Sequence, residues 1–244
     1  MEGSVRKIGI LGGTFNPPHY GHICMALAAL TEGGLDEVLW VPNGDPPHKM
    51  PEVSAADRLW MTRLAVSEAL HRYGTDNTAA PEECSSGVTE EKQPASPMSV
   101  CELEIRRHGP SYMADTLREI SDQYPGAKLY LICGGDMLPG LASWYRSDEI
   151  FQLADILAFY RQAFEQDPFA PDMAQTVRFL KQCGARITLL KTAVPDISST
   201  KVRRLAARAA LGLSESELQE LSGLVPETVK DYILGHGIYQ NSMD

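Results

Sequence analysis

The stretch from Gly12 to His22, which reads GGTFNPPHYGH, constrains the fold of this chain more than any other. A short apolar run, 8–11, precedes it, and a small-residue segment of helical composition, 23–30, follows it. This order predicts a strand, a tight loop and the start of a helix. Its glycines let the backbone turn sharply and approach a ligand, while Pro17 and Pro18 stiffen the loop. We therefore expect a loop of defined shape at the end of a strand.

Two histidines follow the prolines, at the point where the helix is expected to begin. If the helix starts near Tyr20, His19 and His22 can both face the volume above its amino end, where free N–H groups and the helix dipole attract anions. Neither the Walker pattern nor the G-x-G-x-x-G dinucleotide fingerprint occurs here. The stretch therefore predicts a phosphate site without a lysine, and a pair of surface or N-cap histidines is the alternative.

The paired glycines and the HxGH spacing resemble the T/HxGH motif of the nucleotidyltransferase superfamily of adenylyl- and cytidylyltransferases. In that superfamily the two histidines, here His19 and His22, contact the triphosphate of ATP or CTP and stabilise charge as the α-phosphate is attacked. The resemblance implies catalytic roles for both. It implies Gly12, Gly13, Thr14, Phe15, His19 and His22 as ATP-binding residues, and Asn16 as a residue for the second substrate.

The composition is that of an ordinary globular protein, since 43% of the 244 residues are hydrophobic and 22% are charged. A formal net charge of −10 disfavours nonspecific binding to nucleic acid, so we expect no polynucleotide partner. The sequence has no apolar run of membrane-spanning length and no signal-peptide core, which predicts a cytoplasmic protein without a membrane partner. The five cysteines form no CxxC pair, so neither a disulfide framework nor a zinc site is expected.

Strand-like and helix-like segments alternate through most of the chain. This predicts an α/β fold, a Rossmann-like doubly wound parallel sheet with helices on both faces. We expect a single domain, 1–244, with a small C-terminal helical portion at 198–239. The segment 73–97 has almost no large apolar residues and predicts a flexible insertion, to which we assign no chemistry. The candidate strands are 7–11, 37–41, 99–105, 128–133, 156–160 and 186–190.

A proline-stiffened loop, VPNGDPPHK at 41–49, follows the second strand. Ligands bind at the carboxyl ends of strands in open α/β sheets, so His48 and Lys49 place positive charge where a site is expected. A solvated turn is the alternative. The PxxxPPHK pattern is similar to that of nicotinate-nucleotide adenylyltransferases, which implies that both residues bind substrate and that Lys49 is also catalytic. Arg58, in a helix expected to begin near Ser54, matches an arginine of that family, and an exposed helix charge is its alternative.

The third strand gives way to RHGPSY, at 107–112, in which a Gly-Pro pair ends the strand and Ser111 is a good N-cap for the next helix. Free N–H groups at 111–113 could receive a carboxylate or a phosphate, and a carboxylate there would distinguish nicotinate from its uncharged amide. The GPSYxxDTL run is similar to the same family, although simple capping explains the serine almost as well. The resemblance implies Ser111, Tyr112 and Thr116 as substrate-binding residues.

The fourth strand ends in CGGD, at 133–136, and two aromatic residues follow. Asp136 can accept hydrogen bonds from a ribose or help to hold Mg²⁺. Trp144 offers a flat face to a pyridine ring, with a core position as the alternative. The G-x-D and W-Y pattern resembles the pyridine site of nicotinate-nucleotide adenylyltransferases, and Arg161 matches an arginine of that family or is an exposed strand-end charge. The resemblance implies Gly134 and Asp136 for ATP, and Trp144, Tyr145 and Arg161 for the substrate.

The last motif, ISSTKVRR at 197–204, combines three hydroxyls in a first helical turn with Lys201 and Arg203 in the second. N–H groups, hydroxyls and cations together make an anion site, and a simple capped helix is the alternative. ISSTxxR resembles the superfamily's second signature, which implies contact with the β- and γ-phosphates opposite the histidines. The residues implied for ATP are Ile197, Ser198, Ser199, Thr200 and Arg203, with Arg203 also catalytic.

The resemblance covers residues 7–239 apart from the 73–97 insertion. It implies an enzyme of NAD biosynthesis that transfers AMP from ATP to nicotinate mononucleotide, giving nicotinate adenine dinucleotide and pyrophosphate. Mg²⁺ is implied as a cofactor that arrives with ATP and is held by phosphate and water rather than by protein ligands. A homo-oligomer is left open. The alternatives are a nicotinamide-mononucleotide or dual-specificity adenylyltransferase and, from a different class, a noncatalytic nucleotide-binding module.

Overall fold

The computed structural model describes residues 5–47, 51–74, 96–159, 172–208 and 212–240. His48, Lys49, Arg161 and most of the 73–97 segment lie outside these described residues. The described strands are β1 (Lys7–Gly13), β2 (Glu37–Pro42), β3 (Met98–Val100), β4 (Lys128–Gly134), β5 (Ala154–Phe159) and β6 (Ile187–Leu190). The described α-helices are α1 (Tyr20–Thr31), α2 (Ala55–Tyr73), α3 (Leu103–Arg106), α4 (Met113–Gln123), α5 (Ser147–Leu153), α6 (Met173–Gln182), α7 (Ser199–Arg208), α8 (Glu215–Leu224) and α9 (Glu227–Gly235). A 3₁₀ helix, Gly135–Ser143, follows β4.

The described strands form one parallel sheet in the order β3-β2-β1-β4-β5-β6. The chain starts at the centre with β1, builds outward through β2 and β3, and then returns to β4 on the other side of β1. This confirms the predicted doubly wound α/β fold. The connections leave β1 and β4 in opposite directions, so a ligand crevice is expected outside the carboxyl ends of these two strands.

Each face of the sheet has its own hydrophobic core, because successive side chains of a strand point to opposite faces. In β2, for example, Trp40 belongs to one core and Leu39 to the other. The core that contains Trp40 is completed by α1, α2, α7, α8 and α9. The core that contains Leu39 is completed by α4, α5, α6 and the 3₁₀ helix. Burial on both faces explains why the strands are almost continuously apolar.

The third strand is shorter than the sequence predicts. Only Met98–Val100 pairs with β2, and the last three residues of the predicted strand, 103–105, instead lie in the helical turn α3. Residues 101–105, CELEI, alternate between apolar and polar side chains, which is typical of a half-buried strand. In the structure a single helical turn forms at the end of this segment instead and buries Glu104 completely. The prediction of a longer strand is wrong because the buried Glu104 carboxylate accepts a hydrogen bond from the loop after β2. This contact stabilises the fold more than two or three further residue pairs at the edge of the sheet would. The other predicted strands agree with the structure within two residues at each end.

The helical portion predicted at 198–239 contains α7, α8 and α9. Helix α8 begins with a capping box, in which the Ser214 hydroxyl accepts the N–H of Glu217 and the Glu217 carboxylate accepts the N–H of Ser214. Helix α9 begins after Pro226, a residue that fits the start of a helix because it has no N–H to satisfy. Within the described ranges, no helix is long and apolar enough to cross a membrane.

The two cysteines Cys133 and Cys183 should differ sharply in reactivity. Cys133 is fully buried in β4, and burial raises the pKa of its thiol to about 12, whereas Cys183 is exposed after α6. Since the thiolate is the reactive form, we expect iodoacetamide at pH 8 to modify Cys183 readily and to spare Cys133. Peptide mass spectrometry measures both, and unfolding in guanidinium should equalise them. Equal labelling in the native protein would contradict the placement of β4 in the core.

Candidate active site

The loop between β1 and α1 brings the two motif histidines together. His19 is the N-cap of α1 with an extended backbone, and His22 lies in the first turn. Their ring centroids are 3.8 Å apart with an angle of 30° between the ring planes. The ring of Phe15 meets His22 in an edge-on contact with 5.0 Å between centroids. Both imidazoles therefore lie at the amino end of α1, as the HxGH spacing predicts.

A hydrogen bond fixes the position of the proton on His22. Its Nδ1 accepts the backbone N–H of His19 at 3.1 Å, so this nitrogen presents a lone pair and carries no proton. The neutral ring then has its hydrogen on Nε2, which is a hydrogen-bond donor. This donor adds to the N–H groups of the helix amino end, and together they suit a phosphate oxygen.

Gly21, between the histidines, has no room for a side chain. A Cβ atom built on it would lie 2.9 Å from Nδ1 and 3.0 Å from Cε1 of His19. It would also lie 3.6 Å from the backbone oxygen of Pro195, in the segment before α7. The glycine of the HxGH motif thus allows the buried His19 ring to lie against the first turn of α1.

The first loop meets the 197–204 motif although the two are far apart in the chain. The hydroxyl of Ser199 donates to the backbone oxygen of Pro17 at 2.9 Å, across 182 residues. Nη1 of Arg203 donates to the backbone oxygen of Asn16 at 2.9 Å, across 187 residues. The sheet therefore places both predicted phosphate motifs side by side at the carboxyl end of β1.

The other residues of the 197–204 motif have separate surroundings. Ile197 is buried, and the exposed Ser198 caps α7 by accepting the N–H of Lys201 at 3.2 Å. The hydroxyl of Thr200 accepts a hydrogen bond from Arg203 at 3.2 Å. Lys201 points to α8, where its ammonium group pairs with Glu220 at 2.8 Å. Of the two cations that the sequence singles out, Arg203 faces the first loop and Lys201 does not.

The guanidinium of Arg58 joins the first loop to the loop after β2. Nη1 donates to the backbone oxygens of Thr14 at 3.0 Å and Asn43 at 2.6 Å, and Nη2 donates to that of Gly44 at 3.0 Å. The side chain is 1% exposed, and burial lowers its pKa. Among the described residues no carboxylate pairs with it. The alternative of an exposed helix charge is therefore excluded, and the buried Arg58 guanidinium holds two site loops in place.

Ser111 is not the N-cap of the helix that follows it. The N-cap is Tyr112, and α4 begins at Met113. The hydroxyl of Ser111 instead accepts the N–H groups of Gly44 at 3.1 Å and Asp45 at 3.2 Å, and its own N–H donates to the backbone oxygen of Asp45 at 2.8 Å. The predicted cap is wrong because the Ser111 hydroxyl accepts N–H groups of the turn at 44–45, which is distant in sequence, instead of an N–H group of α4. The donors open to an anion are therefore those of the first turn of α4.

A buried chain of hydrogen bonds supports these loops from behind. The amide of Asn43 donates to Glu104 at 2.7 Å, and the hydroxyl of Thr116 donates to the other carboxylate oxygen at 2.6 Å. Arg107 in turn donates to the Thr116 hydroxyl at 3.2 Å. Thr116 and Glu104 are both fully buried. The predicted contact of Thr116 with substrate would need its hydroxyl, which already bonds to Glu104 and Arg107. The structure thus favours a positioning role for Thr116.

The end of β4 supplies a carboxylate and an aromatic pair. Asp136 lies in the first turn of the 3₁₀ helix with an exposed side chain. Trp144 is half-buried and packs against the core that contains Leu39. Tyr145 is 51% exposed and stacks on Tyr112, with 4.4 Å between ring centroids and 33° between planes. The sequence prediction names Tyr112, Trp144 and Tyr145 for the substrate, and the structure stacks the two tyrosines beside the amino end of α4.

Three groups in this region have no local sequence signal. Glu52 pairs with Arg203 Nε at 2.8 Å, Glu104 holds Asn43, and Tyr239 donates to Asn16 at 2.7 Å. The predicted contacts of His48, Lys49 and Arg161 stay predictions, because these residues lie outside the described part of the chain. In that part, no cluster of three or more His, Cys, Asp or Glu side chains could hold a metal ion.

Comparison with known proteins places these features in a family. The sequence model of the cytidylyltransferase-like family matches residues 10–205. A probable nicotinate-nucleotide adenylyltransferase of Synechococcus sp. (strain JA-3-3Ab) is 35% identical over 96% of this chain and 95% of that protein. The nicotinate-nucleotide adenylyltransferase of Bacillus subtilis (strain 168) is 30% identical over 97% and 100%. The Plasmodium falciparum nicotinic acid mononucleotide adenylyltransferase complexed with NaAD has the same fold, with a TM-score of 0.68 and 15% identity over 98% of this chain and 100% of that one.

The substitution Arg58→Lys should destabilise the fold. A lysine keeps the charge, but its single ammonium group cannot reach carbonyl oxygens on both loops, and a buried carbonyl without a donor costs about 1–3 kcal/mol. We expect a loss of about 2–3 kcal/mol in urea unfolding. Arg63→Lys is the matched control, since Arg63 lies on the same helix and pairs with Glu102 at the surface, where ion pairs contribute little. Equal losses for the two variants would contradict the assigned role of Arg58.

Proposed function

The chain belongs to the cytidylyltransferase-like family and, within it, to the nicotinate-nucleotide adenylyltransferases, and from this membership we propose how its site performs adenylyl transfer. The reaction transfers AMP from ATP to nicotinate mononucleotide in NAD biosynthesis. A 5′-phosphate oxygen of the mononucleotide attacks the α-phosphorus of ATP. The bond from that phosphorus to the bridging oxygen of the β-phosphate breaks, and pyrophosphate leaves with the electron pair.

The observation that supports this site best is the meeting of the two phosphate motifs. His19 and His22 lie at the amino end of α1, and Ser199 and Arg203 bond to the backbone of the loop that precedes it. Two helix amino ends, α1 and α7, thus belong to one site. Such ends are favourable places for phosphate oxygens, because their N–H groups lack partners within the helix.

The site needs no nucleophilic side chain, since the substrate supplies the attacking oxygen. Catalysis of phosphoryl transfer consists mainly of aligning the two phosphates and stabilising the charge that grows on the leaving oxygens. We assign the imidazole of His19, the Nε2–H of His22 and the guanidinium of Arg203 to that charge. Gly12, Gly13, Thr14 and Phe15 then shape the wall of the nucleotide site, and Lys49 is proposed as a further cation.

Preference for the acid over the amide would arise at the amino end of α4. Among the described residues no side chain caps the first-turn N–H groups of α4, so these groups can receive the carboxylate of nicotinate. The stacked pair of Tyr112 and Tyr145 lies at the same point and offers an aromatic face to the pyridine ring. Nicotinamide carries no charge to match this end of the helix.

Mg²⁺ is proposed as the cofactor that accompanies ATP. When bound, it neutralises part of the phosphate charge. The donor set of the crevice fits an ion held mainly by phosphate and water, because the exposed carboxylate of Asp136 stands beside the strand end and the described residues form no protein cage. The protein's own task is then to hold the phosphates rather than the metal.

The proposed substrate preference is tested by pyrophosphate release from ATP and Mg²⁺ with nicotinate mononucleotide or nicotinamide mononucleotide. We expect kcat/KM for the acid to exceed that for the amide at least tenfold, because a carboxylate gains a charge-assisted contact at a helix amino end. Equal use of both would assign the chain to a dual-specificity class. No release with either substrate would support the noncatalytic binding module instead.

The substitution Gly21→Ala should reduce turnover and leave the fold intact. The new Cβ atom would displace the His19 ring, which it would otherwise approach to 2.9 Å. We expect kcat to fall at least tenfold, since misplacing a catalytic group by about 1 Å can cost a hundredfold. Gly223→Ala is the matched control, because a Cβ there meets no neighbouring atom of the described residues within 4 Å and alanine favours a helix. Unchanged kcat in Gly21→Ala would remove His19 from the proposed mechanism.

A further inference from the structure

The amide of Asn16 lies at the centre of a closed set of hydrogen bonds that we call the Asn16 cluster, formed by Asn16, Glu52 and Arg203. Nδ2 of Asn16 donates to Glu52 Oε2 at 2.8 Å, and Nε of Arg203 contacts the same oxygen at 2.8 Å. Nη1 of Arg203 closes the set by donating to the backbone oxygen of Asn16 at 2.9 Å. The orientation of Arg203 therefore depends on where Asn16 holds the Glu52 carboxylate.

Tyr239 determines which way the Asn16 amide points. Its hydroxyl lies 2.7 Å from Asn16 Oδ1, across 223 residues of sequence. An ionised Glu52 can only accept hydrogen bonds, so Asn16 must turn its NH₂ group to Glu52 and its oxygen to Tyr239. The tyrosine must then be the donor. Burial raises the pKa of Tyr239, so its hydroxyl keeps that proton throughout the range of ordinary assays.

The backbone is strained at both ends of this contact. Tyr239 has a φ of 71° and Phe15, next to Asn16, has a φ of 48°, and these are left-handed values that bulky residues rarely adopt. Such conformations are unfavourable on their own and persist only where surrounding contacts impose them. Tyr239 and Asn16 are 4% and 3% exposed. The buried contact between the segment after α9 and the first loop is therefore what maintains these strained conformations.

Fixed contacts within the 233–240 segment hold Tyr239 in this position. The N–H of Ile238 donates to the backbone oxygen of Ile233 at 2.9 Å, and the N–H of Gly237 donates to that of Leu234 at 3.3 Å. Ile238 and Tyr239 are both in the core that contains Trp40. The Tyr239 hydroxyl thus contacts the first loop from a segment that backbone hydrogen bonds hold against the end of α9.

We propose that Tyr239 is a positioning residue for adenylyl transfer: through Asn16 and Glu52 it sets the orientation in which Arg203 meets the phosphates of ATP. This inference rests on the proposed function, because it concerns the same site. It assigns Tyr239 no contact with substrate. The Asn16 side chain, predicted from the sequence to contact the second substrate, is 3% exposed and bonds to Glu52 and Tyr239 instead. Because the route ends at Arg203, the effect of Tyr239 should appear in the use of ATP and not in the binding of the second substrate.

The test compares Tyr239→Phe with Tyr232→Phe by steady-state pyrophosphate release. Tyr232 lies on α9, and its hydroxyl donates to Asp57 at 2.9 Å, so this control also removes one tyrosine hydrogen bond made by the same part of the chain. We expect Tyr239→Phe to raise KM for ATP about fivefold and to leave KM for nicotinate mononucleotide within twofold. Tyr232→Phe should change neither constant, even where thermal unfolding shows similar losses of stability. Equal effects of the two variants on KM for ATP would overturn the inference.

A second comparison asks whether Tyr239 acts through Glu52. In a Glu52→Ala background the connection between the side chains of Asn16 and Arg203 is gone, so adding Tyr239→Phe should change KM for ATP less than twofold. Effects that multiply independently would overturn the proposed route. Wild-type protein that releases no pyrophosphate would refute the proposed function itself. Active wild-type enzyme with an unaltered Tyr239→Phe variant would refute the positioning role alone.

Discussion

Irregular backbone at the carboxyl end of a parallel sheet carries carbonyl oxygens that no strand can satisfy, and two buried arginines supply the donors here. Arg58 donates to backbone oxygens on both the first loop and the loop after β2. Arg203 donates to the backbone oxygen of Asn16, and Ser199 to that of Pro17. An unsatisfied buried carbonyl costs about 1–3 kcal/mol, so the loops are restricted to the arrangement in which these donors reach them.

This restriction ties the site to the whole fold, because the donors come from elements that lie later in the chain than the loops. Arg58 is on α2, Arg203 is on α7, and Tyr239 follows α9. The loop that carries the histidines thus takes its shape only when the sheet has assembled and α7 has packed against that loop. Preorganisation of this kind matters for phosphoryl transfer, where alignment and fixed dipoles provide most of the catalysis.

The sequence predicts those parts of the structure that depend on neighbouring residues. The HxGH spacing correctly predicts two imidazoles at a helix start, and alternation of apolar segments predicts the doubly wound sheet. The errors arise where distant groups compete for a residue. Ser111 is a good local N-cap, yet its hydroxyl serves N–H groups 66 and 67 residues away. The contact between Tyr239 and Asn16 leaves no periodicity in the sequence, so only the folded structure reveals it.

The formal net charge of −10 opposes the binding of polyanions, yet the protein must bring two of them together. The carboxylate of Glu52 partly neutralises the charge of Arg203. Within the described residues no carboxylate pairs with Arg58, and its charge interacts with backbone carbonyl dipoles. Two charges about 8 Å apart attract by about 2 kcal/mol at an effective dielectric constant of ~20, so a buried cation behind a loop still acts on a phosphate in front of it. Helix amino ends and the His22 N–H add attraction at short range only. A site built in this way attracts phosphate locally, while the net negative charge of the chain disfavours nonspecific binding of extended polyanions such as nucleic acid.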